Sequence, residues 1–146
     1  MALDLLLAFS IQVSTQIGKL LELRSCILDE NKISFIPPVL GTLPELKELL
    51  LDPTVVNVPA PIHAAGEKLV RQFLNATEMG FMTNILDCSG YGLTMLPGME
   101  GAMTSLTELK LSNNLLKRLP DRIEHFENLK ILWLDGNGLR AGPPRY

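Results

Sequence analysis

Basic residues are too few and too scattered in this sequence to build a nucleic-acid surface. The 13 Lys and Arg are outnumbered by 16 Asp and Glu, for a formal charge of −3, whereas binding to a phosphate backbone needs a clustered basic face. No polybasic segment would hold the chain on an anionic membrane. No stretch approaches the roughly 20 apolar residues that span a bilayer, so membrane insertion is not expected. Cysteine is scarce: Cys26 and Cys88 lie far apart and lack metal-type spacing. The two histidines, His63 and His125, have no second ligand near them in sequence, while a metal site needs three or four. Both are read as solvent-facing residues of turns. There is no phosphate loop, no HExxH, no nucleophile elbow and no kinase signature. Gly90-Tyr91-Gly92 reads as a turn. An enzyme is not expected, nor are catalytic residues, a metal or a cofactor.

The opening segment, Met1 to Val13, is apolar, yet it has no positive n-region and carries Asp4 inside the apolar run. It also shows no clear small-residue cleavage site, so it does not read as a signal peptide. A cytoplasmic protein is the expectation. Apolar residues make up 47% of 146 positions and charged residues 20%, which suffices for one domain with a sizeable core.

What the sequence does contain is a repeat. Leu106, Leu109, Leu111, Asn114 and Leu116 lead into Leu119-Pro120, Ile123 and Phe126. Adding 23 gives Leu129, Leu132, Leu134, Asn137 and Leu139, and subtracting 23 gives Leu86, Cys88, Leu93 and Leu96-Pro97. The N-terminal half repeats the pattern in Leu23, Cys26, Leu28, Asn31 and Ile33, then Ile36-Pro37, Leu40 and Leu43. Leu46, Leu49, Leu51 and Val56 follow, and a degenerate first unit holds Leu3, Leu5, Val13, Ile17 and Leu20. About six units are counted. These residues resemble the intracellular leucine-rich repeat family, with its pattern LxxLxLxxNxL followed by xxLPxxIxxL. The isoleucine of the second half, as at Ile123, looks more like cytoplasmic scaffold repeats than secreted receptor ones. The resemblance implies an α/β fold, a leucine-rich repeat solenoid with a curved parallel sheet.

The spacing itself explains why such a chain would stack. Alternate residues of a strand point to opposite faces, so Leu109 and Leu111 turn inward while Glu108, Lys110 and Ser112 turn outward. Each buried leucine contributes on the order of 1.5–3 kcal/mol, but one unit cannot cover its own apolar face, and neighbours must do it. Asn31, Asn114 and Asn137 are expected to bond backbone groups where the chain turns inward. Ala8, Thr54 and Tyr91 occupy that position in the other units; Thr54 offers a partial substitute, and these turns should be less regular. Cys26 and Cys88 fall at inward strand positions, where a thiol acts as a small apolar group.

One interruption stands out. Leu49 and Leu86 hold equivalent positions but lie 37 residues apart. Pro61 suits a first helical position, and Ile62, Ala65, Leu69, Val70, Phe73 and Leu74 follow at helical spacing. The spacing predicts an inserted amphipathic helix of about four turns ending before Gly80. A single domain of residues 1–146 is therefore expected, with N-terminal repeats in 1–61, the helical insertion in 62–80 and C-terminal repeats in 81–146. Leu51-Asp-Pro-Thr through Pro59, Pro61, Ile62, Gly66 and Phe73-Leu74 resembles the block that closes an array in this family.

The outward positions make columns. One holds Asp4, Ile27, Leu50, Asp87, Lys110 and Trp133; the column before it holds Ala2, Ser25, Glu48, Ile85, Glu108 and Ile131; the column after it holds Leu6, Asp29, Asp52, Ser89, Ser112 and Asp135. Apolar Ile27, Leu50, Ile85, Ile131 and Trp133 thus run beside acidic Asp29, Asp52, Asp87, Glu108 and Asp135, with Lys110 among them. An aromatic anchor with a polar surround is typical of contact hot spots, and acidic flanks favour a basic partner. The expected role is a protein–protein interaction module, a scaffold or adaptor that grips a protein with a basic patch. A structural subunit of a large assembly is a second reading, held at the uncapped C-terminal repeat, where an open strand edge invites pairing, and at the central helix. A regulatory fragment of a larger GTPase or kinase is a third.

Overall fold

The LxL triplets form strands of three residues, and the 23-residue interval sets equivalent residues side by side. A computed structural model describes residues 2–4, 13–96, 104–119 and 121–140, with backbone alone at 2–4 and 121–122. The readings made at Leu5, Leu6, Ala8, Pro97, Pro120 and the tail 141–146 lie outside the described residues, as does the side chain of Asp4. The fold is mixed α/β with two small parallel sheets. The chain groups into two units, Met1–Glu78 and Met79–Tyr146.

In the first unit, β1 (Ala2–Asp4), β2 (Ser25–Ile27) and β3 (Glu48–Leu50) pair in that order. Ala2, Ser25 and Glu48 are ladder partners, as are Leu3, Cys26 and Leu49, and Asp4, Ile27 and Leu50. Short 3₁₀ turns, Thr15–Lys19 and Pro38–Thr42, carry the chain back toward the next strand. Ser14 caps the first by accepting from Gln16 N–H, and proline starts the second. The core between strands and turns holds Leu23, Leu28, Ile36, Leu40 and Leu46, all buried.

The insertion is two helices rather than one. α1 (Ala60–Ala64) is followed by α2 (Glu67–Thr83), with Gly66 at φ +101° between them, a conformation that glycine adopts without strain. Val70, Phe73, Leu74 and Thr77 are buried while Lys68 and Gln72 are exposed, as the helical spacing predicts. Gly41 of the second 3₁₀ turn lies directly on the α2 backbone: a Cβ there would collide with Asn75 N and stand 2.7 Å from Arg71 O. The expected end before Gly80 is not where the helix stops. Gly80 is buried inside α2, where an added Cβ would come within 3.2 Å of Leu86 Cδ1. That glycine is a packing notch, not a terminator. The stop is Asn84, left-handed at φ 60° with its N–H on Gly80 O, the backbone that ends many helices.

In the second unit, β4 (Ile85–Asp87), β5 (Glu108–Lys110) and β6 (Ile131–Trp133) pair in order. Ile85, Glu108 and Ile131 are partners, then Leu86, Leu109 and Leu132, then Asp87, Lys110 and Trp133. Leu86, Leu106, Leu109, Leu111 and Leu116 are fully buried. Their counterparts one interval on, Leu129, Leu132 and Leu134, are only half-buried.

The turn asparagines act as expected. Asn114 Nδ2 donates to Cys88 O, Leu111 O and Ser112 O, and its Oδ1 accepts from Leu93 N–H at 2.9 Å. Asn137 repeats this with Leu111 O, Leu134 O and Leu116 N–H. Asn31 Nδ2 donates to Leu28 O and Asp29 O. The turn after β3 differs from the expectation. Thr54 is exposed, and Asn57, three residues later, is buried and pairs with both Ile36 N–H and Ile36 O. The cause lies at position 53. Glu30, Gly90, Asn113 and Gly136 each stand three residues past their strand with φ between 56° and 73°. The equivalent residue after β3 is Pro53, whose ring holds φ near −65°. The chain cannot take the left-handed step there and reaches its asparagine later.

Candidate binding surface

Strand alternation buries Cys26, Leu49, Leu86 and Leu109 and turns their neighbours outward. Each sheet therefore offers its own outer face, and the sequence columns fall into two groups. The first sheet brings together Ile27, Glu48 and Leu50; the second brings together Ile85, Asp87, Glu108, Lys110, Ile131 and Trp133.

On the second face, Ile131 is 47% exposed and Trp133 is 49% exposed, both large apolar groups open to solvent. The indole is held in place: Trp133 Nε1 donates to Glu108 Oε1 at 2.9 Å, a diagonal neighbour on the adjacent strand. The same Glu108 oxygen lies 3.7 Å from Lys110 Nζ. Ile85, exposed by 41%, stands beside Glu108 in register. The result is an apolar surface on which Glu108 and Lys110 are paired with each other.

On the first face, Leu50 is exposed and Ile27 half-buried beside it. Ser25 Oγ donates to Glu48 Oε2 at 2.6 Å, a cross-strand pair one interval apart.

The acidic residues beside these faces serve the turns. Asp52 accepts from Glu30 N–H at 3.1 Å and Asn31 N–H at 2.9 Å. Asp87 accepts from Ser89 N–H, Asp135 from the Ser112 hydroxyl, and Glu108 from the indole; Asp29 is exposed. Sequence spacing located these residues but not their local partners. Asn57 and the Ser25–Glu48 pair were missed as well. The 23-residue offset signals the pair, while the shift caused by Pro53 hides the asparagine.

Both cysteines are free, buried thiols. Burial pushes the Cys26 thiol up to about 11 from 9.0. Burial, and then the Asp87 charge, push Cys88 up to about 12, so neither forms the reactive thiolate near neutral pH. His63 departs from the solvent-facing expectation: it is half-buried, with Nε2 3.1 Å from Leu51 O, and His125 is exposed. Among the described residues, no three His, Cys, Asp or Glu side chains group to hold a metal ion. No helix among them is long and apolar enough to cross a membrane.

The segment from residue 105 to residue 126 matches the family described as Leucine Rich Repeat. The chain contains a leucine-rich repeat. The matched segment includes β5, the ladder asparagine Asn114 and the 3₁₀ turn Asp121–His125. Its neighbours on the ladder, β4 and β6, share its register. No curated protein shows significant similarity to the chain.

Proposed function

We propose that this chain is a non-catalytic, cytoplasmic interaction module of the LPxxI repeat type, a scaffold or adaptor that grips another protein on its strand faces. In this reading about six repeats, the degenerate first one included, stack into a solenoid. Leucine-rich repeats commonly serve as binding surfaces, and the observation that carries the reading is the Trp133 face. A half-exposed indole, fixed by Glu108 and flanked by Ile131, has the size, the lowered side-chain freedom and the polar surround of a contact anchor. Because Glu108 is shared between the indole and Lys110, the face offers directional hydrogen bonding more than free negative charge. A partner with an apolar group ringed by donors fits it, and a basic patch would meet the exposed Asp87 and Asp135 of the same unit.

The test is co-purification of the tagged chain with its partner, repeated with Trp133→Ala and Leu50→Ser. Loss of the same partner from the variants, with circular dichroism unchanged, supports the reading. Retention by both variants overturns the assignment to the strand faces.

A second reading has its own observation. Leu129, Leu132 and Leu134 are half-buried where Leu106, Leu109 and Leu111 are fully buried. A leucine layer that is left partly open suits a subunit of a larger assembly. Concentration-dependent self-association or precipitation of the pure chain favours this reading, and a stable monomer counts against it.

A further inference from the structure

A groove of about 530 Å³ in the first unit runs beside α2, where the Gly41 turn lies against the helix. Lys68, Arg71, Gln72 and Asn75 line it from one stripe of the helix, and Thr42 and Lys47 line it too. Three cations thus gather around a single carboxylate, Glu67, on a chain whose formal charge is −3. Among the described residues, none of Lys47, Lys68 and Arg71 is in an ion pair. The Nε–H of Arg71 is buried and has no hydrogen-bond partner. Buried donors are nearly always paired in native proteins, and this one, on a residue that lines the groove, is left without an acceptor.

We propose that the groove binds a phosphorylated segment of a partner protein, with the phosphoryl group on Arg71 and Lys68. A guanidinium presents two parallel N–H groups that match phosphate oxygens, and Nε–H is one of them. A phosphomonoester carries about −1.5 to −2 charges at neutral pH, which Arg71 and Lys68 offset. Lys68 to Asn75 covers about 10 Å of helix, the length of about three residues of extended peptide. The amides of Gln72 and Asn75 each offer a donor and an acceptor to a peptide backbone. No aromatic side chain lines the groove, so a nucleobase has nothing to stack on. The groove shares no residue with the strand faces, and it stands or falls independently of them.

Calorimetry on the intact chain tests this with the probe acetyl-Gly-Ala-phosphoserine-Ala-Gly-amide, its unphosphorylated form and inorganic phosphate, while NMR follows the Arg71 Nε–H resonance. The phosphopeptide is expected to bind saturably and shift that resonance, with the unphosphorylated peptide inert and inorganic phosphate weaker. Arg71→Gln should weaken phosphopeptide binding about tenfold or more. Arg71→Lys, which keeps the charge but not the fork, should fall between. Lys68→Gln, at an exposed position, should weaken binding without altering circular dichroism, and Lys130→Gln, which is not among the groove-lining residues, should not. Equal binding of both peptides, inorganic phosphate as tight as the phosphopeptide, or unchanged affinity in the Arg71 and Lys68 variants would each overturn the proposal.

Discussion

The two units use the same three-residue strands and the same 23-residue interval, yet they solve the turn after the strand differently. In the second unit, successive turns bond backbone to backbone: Gly90 N–H reaches Ser112 O, and Asn113 N–H reaches Asp135 O. In the first unit the equivalent donor, Glu30 N–H, and its neighbour Asn31 N–H reach the side chain of Asp52 instead. Pro53 diverts the chain, a carboxylate supplies the missing acceptor, and Asn57 takes over inside. A backbone ladder tolerates many side chains at its turn, whereas the diverted version depends on specific ones. The units differ at their far ends as well. Helix α2 packs Val70, Phe73 and Leu74 into the core of the first unit, while the last leucines of the second stay half-buried.

The largest expected effect probes that last contrast. Leu111→Asp places a charge in a fully buried site and should unfold the second unit, at a cost of about 4 kcal/mol or more. Leu134→Asp, at the half-buried counterpart, should cost clearly less in chemical denaturation; equal costs would erase the difference between inner and outer layers. Next come the asparagines. Asn114→Ala leaves Leu93 N–H and buried carbonyls without their partner, which should cost about 2–4 kcal/mol. Asn57→Ala should cost a similar amount. Thr54→Ala, on an exposed side chain, should stay within about 0.5 kcal/mol. A large loss at Thr54 would mean that the turn after β3 keeps the common register after all.

Smaller still, Asp52→Ala removes two charge-assisted bonds to exposed or half-buried N–H groups, for about 1 kcal/mol. Thermal melts should show it, while Ser112→Ala, whose backbone carbonyl remains, should melt close to the parent. The least visible effect at neutral pH is that of the cysteines. Both thiols have folded-state values above 9.0, near 11 for Cys26 and 12 for Cys88. Their contribution is therefore intact below about pH 9 and is lost as the pH rises through those values, because the unfolded chain deprotonates first. A stability profile flat across that window would contradict the burial of both groups.

Strand positions, register and buried columns were legible because a fixed interval repeats the same physical demand in every unit. The inserted helix was legible from its 3.6-residue spacing. Its boundaries were not: Gly66 and Gly80 look alike in sequence, and only the neighbourhood of Leu86 makes one a notch while a positive φ makes the other a break. Of the candidate surface, the sequence indicated which residues point outward. It did not show that Trp133 and Glu108 bond, since a diagonal contact depends on rotamers. The basic groove escaped notice because Lys47 and Lys68 are far apart in sequence and line one groove only where the Gly41 turn lies against α2.

Trp133 is the chain's single tryptophan, and its tether to Glu108 gives the molecule a built-in optical reporter. All indole emission comes from one half-exposed ring in a defined polar setting, so a ligand that covers the ring should shift the emission toward the blue. The surface can thus be watched as it is occupied without attaching a dye.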